Sequence, residues 1–138
     1  MAKKLIAFFS RADENYFSGA MRYVKVGNTE IVAGITKELI PADTFKIEMK
    51  NPYSPVYMSC IEEAKRDLRA KAAALAGKNL VPFSTHEGSG LSGFDKKLSS
   101  AIPGSKVLKG LAIRGNDCQN QQEGVRKSVN DWIAGLEF

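Results

Sequence analysis

Segments with the pattern of buried strands alternate four times with segments of helical periodicity along this chain. The strand-like segments cover residues 3–10, 44–50, 80–85 and 106–114. Apolar residues at helical spacing follow each of them, over residues 29–40, 56–76, 91–102 and 125–136. Such alternation is typical of a parallel sheet with helices on both faces. The sequence therefore predicts one α/β domain over residues 1–138.

The strand-like segments differ in how they are expected to lie in the sheet. The apolar run Leu5–Phe9 is unbroken, which predicts a parallel strand covered on both faces. Residues 44–50 alternate apolar and polar side chains, which favours a half-exposed edge strand. Pro82 has no N–H group, so it predicts a bulge or a free edge in the third strand. Gly115–Asp117 is predicted to form a turn after the fourth strand.

Two short turns rich in small and hydroxylated residues occur where a strand is expected to lead into a helix. The first is Gly27–Thr29, in which Asn28 or Thr29 is expected to cap the following helix; the second is Thr85–Gly90. The carboxyl ends of parallel strands, just ahead of helix N-termini, favour binding of a phosphate and a planar ring. A plain helix cap and a glycine-rich turn are the structural alternatives.

Residues 12–26 fit neither a helical nor a strand period. A structureless loop of this length is uncommon in a compact domain and is often functional. We therefore predict that it is a lid over the site formed by the two turns.

Composition and charge exclude several classes of function. Lys and Arg exceed Asp and Glu by five, but they are scattered, which indicates a solvated surface and no nucleic-acid binding. The N-terminal apolar run is too short for a signal peptide or a membrane span, so a cytoplasmic location is expected. Cys60 and Cys118 lack CxxC or metal-ligand spacing and are expected to be unrelated reduced thiols. His86 is the one histidine, so no histidine-rich metal site is expected.

With these motifs, the chain resembles the flavodoxin family over nearly its whole length. Ser10-Arg11 and Gly27–Thr29 are similar to the two halves of the loop that holds the FMN phosphate in that family, although Val26 stands where a hydroxylated residue is usual. The stretch from Val81 to Gly90 is similar to the loop that approaches the isoalloxazine ring. The resemblance implies that these residues bind FMN: Ser10, Arg11, Gly27, Asn28, Thr29, Thr85, His86, Glu87, Gly88, Ser89 and Gly90.

One departure from the family pattern is large. Relatives carry a strand, an aromatic loop that stacks on the flavin and a helix at a point where this chain runs directly from residues 70–76 into 77–80. The implied fold is a flavodoxin-like three-layer sandwich with a shortened, four-stranded parallel sheet of order 2-1-3-4. The chain is then a monomer, or a homodimer in which a partner chain fills the gap. Tyr16-Phe17 is the preferred substitute for the missing aromatic contact, with Tyr23 and Tyr53 as alternatives.

The resemblance implies an FMN-binding electron carrier or a component of a flavin-dependent reductase, with no acid–base residue of its own. Because the chain has a net charge of +5, a redox partner is expected to present an acidic face. The alternative is a flavodoxin-like module with a decayed flavin site that binds an anion or another protein. A hydrolase using Ser10 or Ser89 is disfavoured, because no nucleophile and base arrangement surrounds the one histidine.

Overall fold

A computed structural model of the protein describes residues 3–48, 54–59 and 77–137. Residues 57–59 are helical, in agreement with the start of the predicted second helix. The rest of that helix, Cys60 and Tyr53 lie outside the described residues. None of the described helices is both long and apolar enough to cross a membrane.

Strands and helices follow one another in the described ranges largely as the sequence pattern predicts. The strands are β1 (Leu5–Phe8), β2 (Asp13–Phe17), β3 (Ala20–Val24), β4 (Asp43–Lys46), β5 (Asn79–Leu80), β6 (Phe83–His86), β7 (Lys106–Val107) and β8 (Leu111–Arg114). The helices are α1 (Asn28–Leu39), α2 (Phe94–Ala101), α3 (Gly115–Asn120) and α4 (Gln122–Ala134). The α/β character of the chain is thereby confirmed.

The parallel strands form pairs. β1 pairs with β4, and β6 pairs with β8, both in parallel, as the predicted strand order requires. A ladder between β1 and β6 is absent from the described residues, where every sheet has two strands. The prediction of one continuous four-stranded sheet is therefore not met there. Pro82, directly before β6, has no N–H group, so it cannot donate a hydrogen bond that would extend a ladder of β6 in that direction.

A bulge lies opposite Pro82, but its extra residue is on the fourth predicted strand, whereas the sequence predicted a bulge or a free edge in the third. Leu80 lies opposite Val107 and Phe83 lies opposite Leu111. Between these two pairs, the segment from Val107 to Leu111 therefore has one more residue than the segment from Leu80 to Phe83. The Pro82 carbonyl accepts a hydrogen bond from the Leu111 N–H at 3.0 Å. The extra residue divides each predicted strand into two short ones.

Residues 13–24 form an antiparallel hairpin, so the prediction of a structureless loop was wrong. β2 and β3 are joined by Ser18-Gly19, whose φ angles are 55° and 76°. Two residues with positive φ are the signature of a type I′ turn, whose twist matches that of the strands. The Ser-Gly dipeptide between two stretches rich in aromatic residues was the available signal.

The core lies between α1, α4 and β8. Its buried members are Val32, Ile35, Ile113, Cys118, Val125 and Val129. Most of the α1 and α4 members were predicted from helical spacing. β1 differs from its prediction, because Ile6 is buried whereas Leu5 is 63% exposed and Phe9 is 40% exposed. Among the described residues, β1 therefore buries Ile6 and contacts α1, and the cover expected on both of its faces is not seen there.

Candidate functional site

The two halves of the first predicted loop meet in space. A Cβ atom added to Gly27 would lie 2.3 Å from both the Arg11 carbonyl oxygen and Ser10 Oγ. The chain thus enters the β2–β3 hairpin after Arg11 and returns next to Arg11 at Gly27. Only a residue without a side chain allows this approach.

Ser10 caps α1 from a distance. Its Oγ accepts a hydrogen bond from the Glu30 N–H at 3.0 Å, whereas the N-cap residue is Gly27, which has no side chain. The prediction that Asn28 or Thr29 caps this helix was therefore wrong. The N–H groups of Asn28 and Thr29 have no acceptor within the described part of the chain, as is usual in a first helical turn. They are free to bind an anion.

The second predicted turn contacts the first. Thr29 Oγ1 and Thr85 Oγ1 are 2.9 Å apart and share a hydrogen bond. Thr85 lies in β6 and Thr29 in the first turn of α1, so the carboxyl end of β6 meets the N-terminus of α1. Two turns that are 56 residues apart in sequence form one site.

Glu87 connects three elements around this site. Its carboxylate accepts one hydrogen bond from the Ser18 N–H at 3.1 Å and another from the Asn116 N–H at 3.0 Å. Ser18 is in the hairpin turn and Asn116 is in the first turn of α3. The hairpin turn therefore lies next to the second loop, where the sequence predicted a lid.

Helix α3 supplies contacts that the sequence analysis missed, because Gly115–Asp117 was wrongly predicted to be a turn. A Cβ atom on Gly115 would lie 2.3 Å from Asn28 Nδ2 and 2.7 Å from Glu87 Oε1. Gln119 Nε2 donates to Asn28 Oδ1 at 2.7 Å and to the Val26 carbonyl at 3.0 Å. The signal was the position of this glycine at the carboxyl end of the last strand, where sites of this fold class gather.

The remaining residues of the second loop stabilise its own conformation. His86 Nδ1 accepts a hydrogen bond from the Gly88 N–H at 2.8 Å. The Ser89 carbonyl accepts two hydrogen bonds from Ser92, one from its N–H at 3.2 Å and one from its hydroxyl at 3.1 Å. Gly88 and Gly90 have φ angles of 132° and 60°, which side-chain-bearing residues rarely adopt. The N–H groups of Ser89 and Gly90 donate to no acceptor in the described ranges.

The Arg11 side chain has a structural role. Its guanidinium donates to the carbonyl oxygens of Glu14, Ser54 and Pro55, the second of these at 3.1 Å. It thereby connects the base of the hairpin to residues 54–59. The resemblance predicted that Arg11 binds the FMN phosphate. In the structure its guanidinium joins two segments of the chain.

The two aromatic residues proposed as ring contacts have different surroundings. Phe17 is 5% exposed, and the Arg22 guanidinium lies 5.8 Å from the centre of its ring. Tyr16 is 43% exposed and lies beside Tyr57, with ring centres 6.5 Å apart. Of this pair, only Tyr16 presents a substantial surface to a ligand.

Cys118 lies near the site but is not a nucleophile at neutral pH. Burial raises the pKa of its thiol to about 12, and the carboxylates of Asp117 and Glu87 act in the same direction. A nucleophilic cysteine needs a lowered pKa. Its complete burial makes it a member of the core.

Comparisons of the chain with protein-family models, curated proteins and solved structures find no match.

Proposed function

We propose that this protein binds FMN and acts as a flavodoxin-like electron carrier or as a component of a flavin-dependent reductase. The observation that carries the proposal is the 2.9 Å contact between Thr29 and Thr85, which joins the first turn of α1 to a glycine-rich turn. The parallel pairs β1–β4 and β6–β8 support a flavodoxin-like arrangement of the strands.

The first turn of α1 fits the phosphate of FMN. The N–H groups of Asn28 and Thr29 are available, and the Ser10 hydroxyl can donate while its oxygen accepts from Glu30. The Thr29–Thr85 pair has two hydroxyl hydrogens and uses one of them in its own hydrogen bond. These groups supply about four donors to a phosphate. The phosphate would also lie at the positive end of the helix dipole, and the dipole adds roughly 0.3–2 kcal/mol to the binding free energy.

The second loop fits the edge of a flat ring. Its free N–H groups at Ser89 and Gly90 match the carbonyl and nitrogen acceptors of an isoalloxazine. Tyr16 provides the exposed aromatic surface on the hairpin beside this loop. Bound FMN would supply one- and two-electron chemistry, and the protein would orient the ring and exclude water from it.

The decisive measurement is the absorption spectrum of the protein as isolated, followed by titration with FMN, riboflavin and phosphate. We expect a yellow protein that binds FMN more tightly than riboflavin, because riboflavin lacks the phosphate. Thr29→Val removes the hydroxyl in the first turn of α1 and the contact that joins this turn to Thr85, and it should weaken FMN binding about tenfold or more. Thr44→Val on the exposed strand β4 is the matched control and should leave binding unchanged. A colourless protein that ignores added FMN contradicts the proposal.

A second candidate is a module that binds an anion at α1 without recognising a flavin. It is favoured by the internal use of Glu87 and Arg11, whose charged groups are committed to Ser18, Asn116 and backbone carbonyls. Equal affinity for phosphate and FMN, abolished by Thr29→Val in both cases, would support this module. A preference for FMN over phosphate of more than tenfold would support the flavoprotein.

A further inference from the structure

A groove of about 620 Å³ lies between β3 and the helices α1, α3 and α4. Its lining residues are Phe17, Arg22, Tyr23, Val24, Lys25, Val26, Ile31, Gln119, Asn120 and Gln122. Phe17 and Tyr23, considered above as flavin contacts, line it, and Gln119 also contacts Asn28; the groups proposed to bind the FMN phosphate and the edge of the flavin ring do not line it. Its volume falls within the range of small-molecule sites, about 300–1,000 Å³.

The groove carries uncompensated positive charge. Arg22 and Lys25 both line it, and neither forms an ion pair within the described part of the chain. No carboxylate is among the described residues that line the groove. The Arg22 guanidinium lies over the Phe17 ring, and stacking of this kind leaves its N–H groups available to bind an anion in its own plane. The charge therefore favours a phosphate or a carboxylate.

Apolar side chains form another part of the lining. Val24 is 9% exposed and Val26 is 46% exposed, and the half-buried Ile31 lies with them along the groove. Tyr23 is 75% exposed and adds an aromatic ring. Surfaces of this kind favour the flat faces of an aromatic ligand.

Amide side chains line the α3–α4 side. Gln119 and Asn120 use their NH₂ groups in hydrogen bonds within the protein, which leaves their carbonyl oxygens as acceptors. The Gln122 side chain has no partner within the described residues and can both donate and accept. The two carbonyl acceptors, together with the donor and acceptor of Gln122, suit the nitrogen-bearing edge of an amino-substituted heterocycle.

We infer that this groove is a second binding site, and that it takes a small heteroaromatic anion of the purine mononucleotide class. Arg22 and Lys25 bind the phosphate, the apolar side chains cover the ring, and the amides contact its edge. The inference does not depend on FMN binding, because the donors proposed for the FMN phosphate and the flavin edge lie outside this groove.

The test is a titration of the ¹⁵N-labelled full chain with 5′-AMP, followed by amide chemical shifts, with adenosine and inorganic phosphate as separate probes. We expect shifts centred on residues 22–26 and 119–122, with AMP binding at least tenfold tighter than adenosine or phosphate. A repeat in saturating FMN should give the same AMP affinity. The Arg22→Gln variant should bind AMP at least tenfold more weakly, whereas Arg126→Gln, which removes an exposed guanidinium from α4, should bind it normally.

Several results would overturn the inference. One is the absence of AMP-dependent shifts at millimolar AMP. Another is a set of shifts confined to residues 27–29 and 85–90, which would assign the anion to the α1 site. Equal AMP affinity of the wild type and the Arg22→Gln variant would also refute the inference. Lys25→Gln provides a second test of the same charge if Arg22→Gln disturbs the hairpin, and it too should weaken AMP binding.

Discussion

Gly27→Ala tests whether the close approach of two chain segments builds the site. The new Cβ would lie 2.3 Å from the Arg11 carbonyl oxygen, which belongs to the backbone and cannot move without displacing the chain. Overpacking of this kind costs about 1–3 kcal/mol. Displacement of Ser10 would also remove the cap on Glu30, which costs roughly 0.5–2 kcal/mol. We therefore expect a loss of about 2–4 kcal/mol in the free energy of unfolding.

Gly34→Ala is the matched control within the same helix. Gly34 is exposed, and a Cβ atom there would have no neighbour within 4 Å. Replacing a mid-helix glycine should stabilise the protein by about 0.5–1 kcal/mol. Urea unfolding followed by far-UV circular dichroism and by Trp132 fluorescence would measure both variants, and a common transition for the two probes would justify the free energies.

The two variants should thus move in opposite directions. If Gly27→Ala unfolds at the same urea concentration as the wild type, the contact of Gly27 with Ser10 and Arg11 does not exist in solution. The same variant should lose FMN binding under conditions where it remains folded, because the first turn of α1 would be displaced from Ser10. Retention of both stability and FMN affinity would refute the reasoning.

Two properties of Cys118 and two further substitutions have defined outcomes. Alkylation of Cys118, followed by peptide mass spectrometry, should be at least about 100-fold slower in the folded protein than in urea. The free energy of unfolding should fall as pH rises from about 9 to 12, because the thiol ionises at a lower pH in the unfolded chain than in the folded one. Tyr16→Leu should weaken FMN binding several-fold and increase flavin fluorescence, whereas unchanged values would remove Tyr16 from the site. Glu87→Gln should lower the free energy of unfolding by about 1 kcal/mol, because the carboxylate accepts N–H groups from Ser18 and Asn116; unchanged stability would show that the two contacts are not formed.

Parts of the candidate site were predictable because they depend on local sequence. Gly27–Thr29 and Thr85–Gly90 follow strands and contain the residue types that turns and helix starts require. Their contact through Thr29 and Thr85 follows from the shared edge of parallel strands. The roles of Gly115 and Gln119 were not predictable, because a short helix directly after a strand has too few residues to display a period.

The sequence by itself determined the kind and order of most elements, the β2–β3 hairpin and helix α3 excepted, because the spacing of apolar residues is a local property. It also indicated an irregular ladder beside Pro82, since a missing N–H changes any ladder that contains it, although the extra residue lies on the opposite strand. Only the tertiary structure decided that Ser10 caps a helix 20 residues away and that Glu87 reaches the hairpin turn 69 residues away. The same holds for β1 and β6, which stay unpaired with each other in the described part of the chain. Contacts of this length depend on how whole elements pack, and no local pattern encodes that packing.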